Sequence, residues 1–178
     1  MEIRKLKQKE LKLLKNALKF FGAESLAERY VFFIVEDERK NLHMCTPEIF
    51  QLINGVSGIN LRWAGIKVGE MGSRRVRFTL EGAYHIGGRR KRVFVSERGE
   101  MLFLYGRDVF ASSVVGLDRD VEENDVVFVV NRDGDVLGLG KMRYPPERIK
   151  HLDKGTVAVQ NLVDRGEYLR RMRLYDAF

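Results

Sequence analysis

Leu6, Leu11, Leu14, Leu18 and Phe21 recur at helical spacing with lysines between them, which predicts an amphipathic helix over 6–21. Gly22 is a natural stop, because glycine tolerates the left-handed backbone that ends many helices. The lysine side reads first as a solvated outer face, with a membrane surface or RNA as alternatives. Residues 30–35 and 41–45 read as strands around the charged turn EDERK. Thr46-Pro47-Glu48 then combines a capping hydroxyl, a proline suited to a first helical position and an early acid, so a short helix through IFQLIN to Gly55 follows. Further strands are predicted over 61–68 and 74–80, and EGAYHIGG reads as a turn or short helix. The first half is therefore α+β, an antiparallel sheet with flanking helices.

After the run GGRRKR, residues 87–92, the pattern becomes short strands and turns. VFVSERGEMLFLYG is a hairpin candidate, and VVFVVNRDGDVLGLG reads as two strands around Asp133-Gly134. PPERIK is a short helical segment, TVAVQNL another strand, and GEYLRRM follows it. Many short strands imply a small barrel, which leaves few exposed sheet edges. The expected domains are 1–94 and 95–178. If GEYLRR is extended, Arg170 and Arg171 point to opposite faces, and both cannot lie against an apolar core.

Composition narrows the setting. The chain has 178 residues, 44% hydrophobic and 32% charged, with 3 prolines, which is globular rather than disordered. A single cysteine, Cys45, excludes an internal disulfide framework and fits a reducing compartment. No apolar run approaches the ~18 residues of a membrane span, and the basic N-terminus lacks the apolar core of a secretory signal. The expectation is a cytoplasmic protein without membrane contact. The net charge is +7 and the sequence pI about 9.6. Residues 1–92 hold 19 Lys and Arg against 10 Asp and Glu, and residues 93–178 hold 13 against 15. Such an excess attracts polyanions; a highly charged surface laced with ion pairs is the alternative.

Catalytic patterns are absent from the sequence. His43, His85 and His151 are scattered, and His43 with Cys45 supplies two ligands where zinc takes four, or three and water. GDVLGLGKM is not a phosphate loop: five residues separate Gly134 from Gly140, and Met142 stands where Ser or Thr is required. Gly138 and Gly140 read instead as strand residues on one face, open to close approach by backbone or ligand. Asp118, Asp120, Glu122 and Glu123 read as a solvated turn. No metal, cofactor or catalytic residue is expected.

Three basic clusters remain: Arg89, Arg90, Lys91 and Arg92; Lys141, Arg143, Arg148 and Lys150; and Arg170, Arg171 and Arg173. Tyr144, Tyr168 and Tyr175 are interleaved with the last two. Cations track a phosphate backbone and tyrosine rings stack unpaired bases, which suits single-stranded or irregular RNA. The other reading has these arginines blunting a sheet edge and pairing with nearby acids.

MLFLYGRDVFASSVV and ENDVVFVVNRDGDVLGLGKM resemble a PUA domain, through a strand ending in Tyr105-Gly106, a short helix around Val109 and a hairpin closing on Gly138-x-Gly140. The whole chain resembles the Nip-seven family of ribosome-biogenesis factors. FLYG at 103–106, DRGEYLRR at 164–171, TPEIFQLINGVSG and RRVRFTLEGAYHI carry that likeness. The resemblance implies a non-enzymatic protein that assists precursor ribosomal RNA processing and large-subunit assembly, with a β-barrel-like PUA domain that binds uridine-rich RNA. It implies RNA contacts at Arg170, Arg171 and Arg173. Lys141 and Arg143 join them by proximity, and Arg89, Arg90, Lys91, Arg92 and Tyr168 are additional candidates. Implied partners are precursor ribosomal RNA, other assembly factors and, in archaea, the exosome. A monomer is expected, nuclear or nucleolar if the source is eukaryotic. An RNA-modifying enzyme or its accessory subunit and a protein-binding adaptor are the alternatives.

Overall fold

The computed structural model describes residues 2–55, 65–87 and 90–171. The chain divides into two compact units, Met1–Ile86 and Gly87–Phe178. The division precedes the expected 94/95 boundary because Arg92–Val95 is a strand of the second unit's sheet.

The first unit runs β1 (Glu2–Lys5), α1 (Gln8–Phe21), α2 (Leu26–Arg29), β2 (Val31–Glu36), β3 (Lys40–Cys45), α3 (Pro47–Gly55), β4 (Ile66–Met71), β5 (Val76–Phe78) and α4 (Leu80–Ile86). Its five strands pair antiparallel in chain order. The apolar stripe of α1 buries Leu14, Leu18 and Phe21, and Gly22 ends the helix at φ 69°. β2 is buried on both faces: Phe33 and Val35 cluster with Cys45 and with Phe50 of α3, while Ile34 pairs with fully buried Leu42. Thr46 caps α3 through its hydroxyl, 3.5 Å from the Ile49 amide. β1 lies outside the elements that the pattern predicts. Its one apolar residue, Ile3, gives no alternation to read, and the strand is held by its ladder to β2 and by Arg4. Arg4 donates to Glu36 at 2.7 Å and to both oxygens of buried Glu10, at 2.8 and 3.0 Å. The expected strand over 74–80 shortens to β5, because Thr79 turns the chain into α4 and accepts from the Gly82 amide at 3.1 Å. Of the strand expected over 61–68, residues 61–64 lie outside the described set.

The second unit runs β6 (Arg92–Val95), α5 (Glu97–Leu104), β7 (Val109–Phe110), a 3-10 turn (Ala111–Ser113), β8 (Val114–Leu117), β9 (Val126–Val130), β10 (Val136–Met142), a 3-10 turn (Pro146–His151), β11 (Val157–Asp164) and α6 (Gly166–Arg171). The sheet order is β7-β11-β10-β9-β6-β8, a curled half-barrel in which only β6 and β9 among the described pairs run parallel. Val93, Val95, Phe103, Val127, Val129, Met142 and Val159 pack its core. The hairpin expected over VFVSERGEMLFLYG is instead strand β6 followed by helix α5. Ser96 caps that helix at the Gly99 amide, Glu97 and Glu100 sit in the first turn where the helix dipole favours them, and Phe103 is buried. Val109 lies in a strand rather than a helix, with the short helical turn displaced to Ala111–Ser113. GEYLRR is helical, not extended. Among the described residues no helix is long and apolar enough to cross a membrane.

Candidate nucleic-acid interface

The cations of the seam are paired. Arg90 Nε lies 2.9 Å from Asp120. Lys91, almost wholly buried and at φ 58°, lies 2.7 Å from Asp125 and also donates to the Asp120 carbonyl. Arg92 grips Asp118 with two donors, at 2.9 and 3.0 Å, and stands 5.0 Å from the Phe94 ring centre. Those hydrogen bonds hold Arg92 more firmly charged and keep the Asp120 carboxyl below its ordinary range against the opposing effect of burial. Of the acids expected to form a solvated turn, Glu122 and Glu123 are exposed as expected, while Asp118 and Asp120, joined by Asp125, are instead partners of the seam cations, and the turn fastens the start of β6. Their separation of about 30 residues from those cations hid the pairing. Arg89 lies outside the described residues.

Arg170 is committed in the same way. Its guanidinium donates to both oxygens of Asp164, at 2.9 and 2.8 Å, and to the Leu104 carbonyl. Asp164 is 3% exposed, and a carboxylate so placed needs partners. Its second partner is Asn161, whose amide also donates to the Phe103 and Arg107 carbonyls. The Asn161 backbone N–H donates to Asp108 at 2.8 Å. This network ties the end of α5 to β11 and α6, so Arg170, which the resemblance marks as an RNA contact, is partly exposed and also has a local structural task. Arg171 is the last residue of α6, Tyr168 is exposed on the same helix, and Arg173 lies outside the described residues.

Lys141 and Arg143 differ. Lys141 stands opposite Gln160 across the β10–β11 ladder. Arg143 is exposed, its amide donating to the Ala158 carbonyl and its guanidinium lying 3.4 Å from the Gln160 side-chain oxygen. Arg148 lies 5.6 Å from the centre of the half-buried Tyr144 ring, and Lys150 is exposed in the same 3-10 turn. Among the described residues no acid lies within 4 Å of these four cations. Two residues past Gln160 on β11, exposed Leu162 opens a cleft of about 390 Å³. Gly106, Asp108, Asn161, Asp164, Glu167 and Arg170 line it with Leu162 and Val163. Two residues of strand span ~7 Å, so the cation strip and the cleft adjoin on one strand. Sequence reading reached Lys141 and Arg143 but gave no role to Asp108, Asn161 and Asp164, although Asp108 and Asp164 lie within the stretches MLFLYGRDVFASSVV and DRGEYLRR that carry the resemblance. Gly138 is closely packed: a Cβ there would lie 2.1 Å from the Val163 carbonyl oxygen, so no ligand reaches it on that side.

A UPF0113 PUA domain model matches residues 91–173, and a NIP7/UPF0113 pre-PUA domain model matches residues 3–80. A UPF0113 protein of Archaeoglobus fulgidus is 43% identical over the full length of both chains. A tRNA-guanine(15) transglycosylase of Methanosphaera stadtmanae is 33% identical over 86 residues, 48% of this chain and 12% of that enzyme. Among solved structures, a conserved PUA domain protein from Thermoplasma acidophilum superposes with a TM-score of 0.66 at 15% identity, covering 94% of this chain and 97% of its own, which shows the same fold. The two matched segments and the full-length relative together establish that the chain belongs to the NIP7/UPF0113 family, a pre-PUA unit followed by a PUA domain.

Proposed function

We propose that this protein binds single-stranded, uridine-rich RNA through its second unit, without catalysis, and that it assists precursor ribosomal RNA processing during large-subunit assembly alongside other assembly factors. One observation carries the reading. The described cations of that unit include a set paired to carboxylates, among them Arg90, Lys91, Arg92 and Arg170, and an open strip of Lys141, Arg143, Arg148 and Lys150. Of these two sets, the open strip is the one ready to neutralise phosphates. Tyr144, already a platform for Arg148, adds a ring beside it. Asp108 in the adjoining cleft repels phosphate and, with one carboxylate oxygen taken by the Asn161 N–H, suits the N–H edge of an extruded base through the other. PUA-domain membership and the stretch shared with an enzyme named for a tRNA substrate support an RNA ligand. Arg170 takes a positioning role here, holding the cleft wall through Asp164.

Filter binding to uridine-rich RNA across a salt series tests this. Four phosphate contacts at about 0.7 each give a log–log slope of about −3, and Lys141→Ala with Arg143→Ala reduces its magnitude by about 1.4. A slope near zero favours a protein-binding adaptor. Nucleoside mass spectrometry after incubation with precursor RNA tests the absence of catalysis, and any new modification ends that part of the proposal.

A further inference from the structure

Helix α1 of the first unit carries a charge arrangement that the reading above does not use. Lys9, Lys12, Lys15 and Lys19 are all exposed. At 3.6 residues per turn they fall with Gln8 and Asn16 on the side opposite buried Leu14, Leu18 and Phe21. The only acid of the helix, Glu10, is buried and turned onto Arg4, with Lys40 at 3.7 Å. Among the described residues no carboxylate lies within 4 Å of the four lysines. Helical lysines are ordinarily offset by acids three or four positions away; here the neighbours at those spacings are other lysines, which repel. Two of them sit in the N-terminal half, where the helix dipole disfavours cations. The arrangement destabilises the isolated helix, so it is better explained by a ligand than by folding.

We propose that this face is a second RNA site that binds the phosphate backbone of a duplex. The chemistry selects among polyanions. The lysines span ~15 Å along the helix axis, a row of point charges matched to a row of phosphates. The face carries no tyrosine or tryptophan, and Phe20 at its edge is half-buried and packed edge-on against Phe21 rather than offered to an unpaired base, which favours paired RNA, recognised through shape and backbone. A membrane surface fits poorly, because the apolar side of α1 is already buried and cannot insert. An acidic protein fits poorly too, because stable protein interfaces centre on aromatic, Met or Arg anchors and are depleted in lysine.

The test uses the full chain, with fluorescence anisotropy against a short blunt RNA duplex and, in parallel, uridine-rich single strands. Lys9→Gln, Lys12→Gln, Lys15→Gln and Lys19→Gln together should weaken duplex binding at low salt at least ~10-fold and lower the magnitude of the salt slope by about 3–4. The melting temperature should hold or rise as the repulsion is relieved. Four Lys→Arg changes should preserve binding. If the quadruple variant fails to fold, Lys12→Gln with Lys19→Gln gives the same readout at half the effect. Unchanged duplex affinity overturns the proposal. So does tighter binding to phosphatidylserine vesicles or polyglutamate than to the duplex. The single-strand arm reports the second unit: loss there upon Lys141→Ala with Arg143→Ala, with duplex binding intact, separates failure of one site from failure of the other.

Discussion

At the scale of single residues, an arginine's neighbours matter more than its charge. Arg170 and Arg143 look alike in sequence, yet one is fastened to a nearly buried carboxylate and the other is exposed with a single long amide contact. Arg170→Ala leaves Asp164 without its main partner and should lower the melting temperature by several degrees. Arg170→Lys should recover only part of the loss, because an ammonium cannot reproduce the planar two-point grip. Arg143→Ala should change stability by no more than about 0.5 kcal/mol while weakening RNA binding. Calorimetry beside filter binding separates these outcomes, and a silent Arg170→Ala would remove the structural role assigned to it. Glu10 makes the same point through pH. The Arg4 guanidinium holds its carboxyl down at about 2, below the ordinary value of 4.5. A carboxylate depressed by folding stabilises fully above the ordinary value, and the contribution disappears as pH falls through about 2. Glu10→Gln should therefore cost about 1–3 kcal/mol at neutral pH and little near pH 2, measured as thermal midpoints across that range.

At the scale of elements, the strands with clear alternation or dense β-branched runs, β2, β3, β9, β10 and β11, were legible, as were α1 and α3 with their stop and cap residues. The helix α5, expected as part of a hairpin, and α6, whose conformation the sequence left open, are short, and their periodicity covers fewer than three turns. What makes them helical is partly remote: Phe103 enters the core and Arg170 reaches back to Asp164. The β10–β11 pair depends on Gly138, where a Cβ would meet backbone rather than a flexible side chain. Gly138→Ala should cost at least ~2 kcal/mol, in the range of overpacked cores, read as a lowered denaturant midpoint. The turn before β9 should prove equally demanding. Asp125→Ala strands the buried Lys91 ammonium and should cost about 3–5 kcal/mol. A loss below 1 kcal/mol would mean that water reaches Lys91 readily.

At the scale of the molecule, the uneven charge takes on structure. The excess of 19 Lys and Arg over 10 Asp and Glu in residues 1–92 includes the open lysine face of α1, while the near balance of residues 93–178 reflects acids that serve as partners. With a slope of about −3, raising salt from ~50 to ~200 mM should weaken single-strand binding by about 50-fold; a much smaller loss would point to stacking as the main contribution. The sequence by itself determined the α+β first half, the strand-rich second half and the excess of cations, because periodicity, turn residues and net charge are local or additive properties of a chain. Its resemblance to a known family marked the RNA-binding class before any coordinate. Only the tertiary structure decided which cations remain open, because an ion pair between residues such as Lys91 and Asp125 forms where folded strands meet, and no local pattern encodes that meeting. The cleft beside Asn161 is of the same kind, assembled where the turn at Gly106 and Asp108 meets the β11–α6 junction more than 50 residues later in the chain.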